Sequence, residues 1–342
     1  MAKKKEQIST TQIEQRFTII RAVLAIVISI LFCFLFLFIS WHLLRIHLGN
    51  RALPLMPVLA LIVYTALSFE QGDSAEEFCL PLLAYGLLVG YRSMRSRTLP
   101  TVREWILIGV TSGVVLWIKY SMLGFYLGWI LAVFLFAKSV HRGTDVLRGI
   151  GWITAGVGAV TLPILIWFAC AGALPQLFEV YFYDNMFLYP NTADMYGNFA
   201  LHRNLGNGLL NFIVFSTFIF VFSVLGLIRT GKNEEKQVFR LVLYSFWGLF
   251  LFIYFSGRFY SYYSLIFGIC VPLGLLWLYE QLNRIPVISR SWHSFPGMWS
   301  TLVPVVCIVA LFFCSGNMSS LQFEKEDYPQ YRAKELIEAS GV

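Results

Sequence analysis

Apolar residues arrive in this chain in long unbroken runs, and such runs leave a backbone few choices. A helix crossing the hydrocarbon core of a bilayer needs about 20 apolar residues, with every N–H and C=O paired inside the segment. Ten runs approach that form: Phe17–Leu44, Leu53–Phe69, Phe78–Tyr91, Trp105–Lys119, Met122–Ala137, Gly149–Leu174, Leu209–Ile228, Leu241–Ser256, Ser264–Tyr279 and Met298–Ser315. The first is overlong and several are short. Charged residues make up 13% of the 342, about half of what a soluble domain carries, and 58% are hydrophobic. The 17 Tyr and 10 Trp suit the belts at membrane interfaces. The expectation is an all-α, polytopic transmembrane helix bundle of about ten spans over residues 17–315. A polar, basic segment, 1–16, precedes it, and an exoplasmic tail, 316–342, follows.

Orientation comes from Lys and Arg. The loops near Arg45/Arg51, Arg92–Arg103, Lys138–Arg148, Arg229–Arg240 and Arg284–Arg290 hold 15 of them, and the alternate loops hold only Lys119, Arg203 and Arg258. Basic loops stay in the cytoplasm, so the first set is predicted cytoplasmic. The same alternation puts Lys3, Lys4 and Lys5 outside, against the rule. Either the first run is a hairpin or an upstream helix is missing. Those lysines precede an apolar run too long for a cleavable signal. Cys33, Cys79, Cys170, Cys270, Cys307 and Cys314 sit inside apolar runs without CxxC spacing, which reads as packing thiols. Gly109/Gly113 and Gly124/Gly128 have the small-xxx-small spacing of close helix packing.

Chemistry gathers in the exoplasmic loops. Phe69-Glu70-Gln71-Gly72-Asp73-Ser74-Ala75-Glu76-Glu77-Phe78 puts four carboxylates between two apolar helices. Such a loop can hold a divalent cation, Mg or Mn, through Glu70, Asp73 and Glu77, or supply a general base toward an acceptor hydroxyl. Asp73/Glu76 and Ser74/Glu77 also each fit a capping box, which would explain part of the cluster structurally. Lys119 ends a helix on the same side, where a lysine either snorkels to the interface or pairs with a lipid phosphate. In Ser256-Gly257-Arg258-Phe259-Tyr260-Ser261-Tyr262-Tyr263, Arg258 offers a planar fork for two phosphate oxygens. The loop Leu174–Leu205 combines interfacial aromatics with Asp184, Asn185, His202 and Arg203, which could bind a polar substrate. No P-loop, HExxH, GxSxG or dinucleotide fingerprint is present, and no nucleic-acid partner is expected.

Taken in order, Glu70-x-Gly72-Asp73-x-x-Glu76-Glu77-Phe78, Gly113-x-x-x-Trp117-Ile118-Lys119 and Gly257-Arg258-x-Tyr260-x-x-Tyr263 resemble bacterial membrane glycosyltransferases of the GT-C class. The likeness is to protein O-mannosyltransferases and lipid A aminoarabinose transferases. Asp327-Tyr328-Pro329-Gln330-Tyr331 resembles the entry to the exoplasmic domain of some members. The resemblance implies a location in a bacterial inner membrane and transfer of a sugar from a polyprenyl-phosphate carrier to an exoplasmic glycan, lipid or protein. It implies catalytic or metal-binding roles for Glu70, Asp73, Glu76 and Glu77, and carrier-phosphate contacts for Lys119, Arg258, Tyr260 and Tyr263. The family's first acidic loop has no counterpart, since residues 1–16 offer only Glu6 and Glu14. A chain shortened at both ends, or one part of a split enzyme, is therefore expected. The competing readings are a transporter or flippase of lipid-linked sugars and a noncatalytic membrane scaffold. Ion-coupled carriers keep ionisable groups near the midplane, whereas here they fall at the ends of the runs.

Overall fold

The structure, a computed structural model, describes residues 2–69, 74–188, 201–294 and 296–314, and among these there is no strand. All ten apolar runs are helical, but not as ten uniform rods. The first, α1 (Ala2–Leu48), is one helix of 47 residues. At 1.5 Å per residue it measures about 70 Å, over twice the hydrocarbon thickness. Its apolar part begins at Val23. The hairpin, one of the two readings left open there, does not form, and Phe17–Leu44 contains no Gly or Pro to turn on. Residues 16 and 17 are not separated by any break either. The chain turns only at Gly49, whose φ of +58° favours glycine.

There follow α2 (Leu55–Tyr64), α3 (Ala75–Arg95), α4 (Val102–Lys119), α5 (Leu123–Ser139) and α6 (Gly143–Cys170). After these, α7 (Leu174–Phe178) runs into a π-helical stretch, Glu179–Leu188. The second half holds α8 (Leu201–Phe215), α9 (Thr217–Asn233), α10 (Lys236–Tyr254), a 3-10 stretch Ser261–Cys270, α11 (Val271–Asn283), α12 (Pro286–Ser294) and α13 (Pro296–Cys314).

Five of the described helical stretches are long and apolar enough to cross a membrane, or six if α8 and α9, bent by 110°, form one span. About ten spans is therefore not reached by length and composition. The 10 residues of α2 rise only about 15 Å. One of the five, Val102–Ser139, doubles back on itself. Lys119 leaves helical geometry (φ −161°, ψ 94°). The rings of Trp105 and Trp129 then lie 5.5 Å apart, where a straight helix would separate them by about 36 Å.

The bundle packs as α1 on α3, α4 on α6, α5 on α10, α9 on α11 and α2 on α13. Its centre is aromatic, with Phe36, Tyr91, Phe125, Trp129, Phe212 and Tyr254 fully buried. Outward-facing Phe34, Ile166, Trp167, Phe218 and Phe313 leave a surface suited to lipid. Of the cysteines, Cys79, Cys270 and Cys307 are buried, while Cys170 and Cys314 face outward, and no disulfide joins the described residues.

One end of the bundle carries the basic loops, and there buried ions tie four helices. Arg229, only 3% exposed, donates to Glu280 at 2.8 Å and Glu234 at 2.9 Å. Arg95 reaches Glu234 at 3.3 Å, and His47 meets the Tyr91 hydroxyl at 2.6 Å. α1, α3, α9 and α11 all meet there.

Candidate functional site

At the opposite end, the first turn of α3 faces the reversal between α4 and α5. Ser74 caps α3, its Oγ accepting from the Glu77 N–H at 3.2 Å. The reciprocal half of the capping box is not made. Instead the Glu77 carboxylate turns toward α1, accepting from the Ser29 hydroxyl and approaching Cys33 Sγ at 3.4 Å. Glu76 is likewise drawn away from the cap: its carboxylate pairs with the Lys119 ammonium. Both glutamates are essentially fully buried. Each keeps one carboxylate oxygen, Oε2, without a hydrogen-bond partner among the described residues.

Lys119 does not snorkel. Its side chain is 18% exposed, with the ammonium 3.6 Å from the Tyr263 ring centre and 5.2 Å from that of Tyr262. An ammonium over an aromatic face gains from the ring quadrupole, so carboxylate and rings together fix this cation where two helices end.

Beyond it opens a cavity of about 1400 Å³. Ser74, Ala75, Lys119, Asn185, Arg258, Tyr260 and Tyr263 line it, alongside an apolar wall of Leu116, Leu127, Leu251 and Phe252. Arg258 reaches this position through Gly257, whose φ of +74° would strain any larger residue and whose added Cβ would press on the Asn204 side chain.

The structure thus brings together Lys119, Arg258, Tyr260, Tyr263 and Asn185 around one space. Glu76 touches this space only through its pairing with Lys119. Asn185 itself spends its amide on the carbonyls of Val180 and Tyr181, both at 3.1 Å. Asp184 does not line the cavity, and His202 and Arg203 are exposed at the start of α8. Glu70 and Asp73 lie outside the described residues. Among the described residues no three His, Cys, Asp or Glu side chains gather as a metal site. Glu77, expected as a ligand, turns one carboxylate oxygen toward α1, and the other two expected ligands are Glu70 and Asp73.

Sequence reasoning missed the roles of Tyr120, Tyr181, Phe182 and Tyr262, which also line the cavity. Tyr181 donates to the Leu116 carbonyl at 2.6 Å, and burial pushes its hydroxyl up to about 12. It therefore stays a proton donor through the physiological range. Its only signal in the sequence was membership of an aromatic-rich loop.

Comparison with protein-family models, curated proteins and solved structures finds no match for the chain.

Proposed function

We propose that this chain is a membrane glycosyltransferase of GT-C type, which takes a sugar from a polyprenyl-phosphate carrier and passes it to an exoplasmic acceptor. The observation that carries the proposal is the shared cavity of Lys119 and Arg258, two of the three basic residues in the alternate loops. A lipid-linked sugar presents an apolar chain, a phosphate and hydroxyls, and this cavity offers an apolar wall, two cations and several tyrosines. In the proposed step the acceptor oxygen attacks the anomeric carbon. Its proton passes to a carboxylate of the acidic loop, Glu70 or Asp73. The carbon–oxygen bond to the phosphate breaks, and the phosphate leaves with the bonding electrons against Arg258. Fixed cations at a leaving group contribute a large share of catalysis in such sites.

A flippase is the second reading, and it draws on the buried Glu76–Lys119 pair and the buried Glu77, ionisable groups of the kind carriers use. One experiment separates the two. The full chain is reconstituted in vesicles with a panel of polyprenyl-phosphate sugars and of glycan, lipid and protein acceptors, and release of the bare carrier phosphate is followed beside movement of the intact lipid. Transfer gives release, a flippase gives movement without release, and a scaffold gives neither. Arg258→Ala should weaken carrier binding by about tenfold or more, and Arg258→Lys should restore it only in part, since the fork is lost. Unchanged binding in both variants would remove the phosphate role of Arg258.

A further inference from the structure

A second cleft lies between α1 and α3 at the basic end, far from the cavity above. It has a volume of about 370 Å³ and is lined by His42, Arg45, Ile46, Leu88 and Arg92. Two arginines and a histidine converge there from adjoining helices. Among the described residues neither arginine has a carboxylate within ion-pair distance, although Arg95, Arg97, Arg142 and Arg229 at the same end all do. Both arginines are exposed, so their mutual repulsion is screened by solvent but not cancelled by a counter-charge among the described residues. Arg45 is nevertheless fixed, its guanidinium carbon 5.0 Å from the centre of the Trp41 ring. His42 packs against that ring at 4.7 Å and against Phe38 at 4.6 Å. Ile46 and Leu88 give the cleft an apolar side.

We infer that this cleft binds the phosphate of an anionic phospholipid headgroup from the leaflet on the basic side. Both guanidiniums engage the phosphate oxygens, and the glycerol backbone rests on Ile46 and Leu88. Basic pockets between membrane helices on the cytoplasmic side are suited to such headgroups. The inference stands whether or not the larger cavity transfers sugar.

The test uses the full chain in nonionic detergent, with binding of short-chain phosphatidylglycerol and phosphatidylcholine followed by native mass spectrometry. Phosphatidylglycerol should bind the wild type. The double variant Arg45→Ala/Arg92→Ala should lose at least about tenfold in affinity, while Arg148→Ala, on α6 at the same end, should lose nothing. A matched thermal unfolding midpoint shows that the double variant folds, and should it fail to fold, Arg45→Gln and Arg92→Gln singly are read in its place. Equal binding of phosphatidylcholine, or full phosphatidylglycerol binding after loss of both guanidiniums, would overturn the inference. So would displacement of the lipid by millimolar inorganic phosphate, which would make the ligand a soluble phosphate.

Discussion

Glu76 and Lys119 hold each other inside the bundle, and neither charge is comfortable there without the other. Removing one partner of a buried pair leaves an uncompensated charge and costs about 3–5 kcal/mol, whereas replacing both costs far less. Glu76→Gln and Lys119→Met should therefore each lower the thermal unfolding midpoint strongly in detergent, and the double variant should recover much of the loss. Strictly additive losses would show that the pair is not coupled. The sequence marked Lys119 by its rarity in the alternate loops and Glu76 by its acidic loop, but not their pairing, which spans 43 residues and forms only once α3 and α4 pack. The local pattern Ser74-x-x-Glu77 was legible as a cap, and half of it forms. The other half is lost because Ser29, contributed by α1, competes for the carboxylate. Sequence spacing describes local competition, and here a distant hydroxyl wins.

Among the helices, small residues decide how closely the rods approach. A Cβ added at Gly128 would overlap the Tyr244 carbonyl on α10, and one at Gly124 would overlap the Gly248 carbonyl. Gly109 meets α6 in the same way, against the Ile153 carbonyl. The small-xxx-small spacing was thus a sound guide to contact, though not to which helix would be the partner. Gly128→Ala should destabilise by about 1–3 kcal/mol through overpacking. Gly158→Ala, where an added methyl meets nothing within 4 Å, should be neutral or mildly stabilising. Equal unfolding midpoints for the two variants in a denaturing-detergent titration would refute the close α5–α10 approach. The break between α8 and α9 was not legible at all. Phe215-Ser216-Thr217 contains no Gly or Pro. The bend sits instead at Ser216, whose buried hydroxyl lies 2.6 Å from that of Ser68 and 2.7 Å from that of Ser264. That contact is tertiary, and no window of sequence contains it.

Across the whole molecule, the two ends differ in kind. Loops from four different parts of the chain, all assigned to one side by their basic residues, are joined by Arg229, Arg95, His47 and their glutamates. The other end holds the cavity. In a variant with all six cysteines replaced, a cysteine at Ser96 should resist a membrane-impermeant reagent applied outside, and one at His202 should react. The reverse pattern would invert the orientation. Helix α4 links the two ends directly, with Arg103 in its first turn and Lys119 at its last residue. Its 18 residues rise about 27 Å, close to the thickness of the hydrocarbon core. That makes α4 a ruler laid across the bilayer. With the basic tip in the headgroups, the other tip would set the depth of the Lys119 cation, which in the proposed function meets the carrier. In lipids a few carbons longer the ruler falls short, and the cavity mouth is drawn below the headgroup level where an acceptor arrives. Transfer measured in a series of acyl-chain lengths should pass through a maximum and decline on the thicker side, while carrier binding changes little.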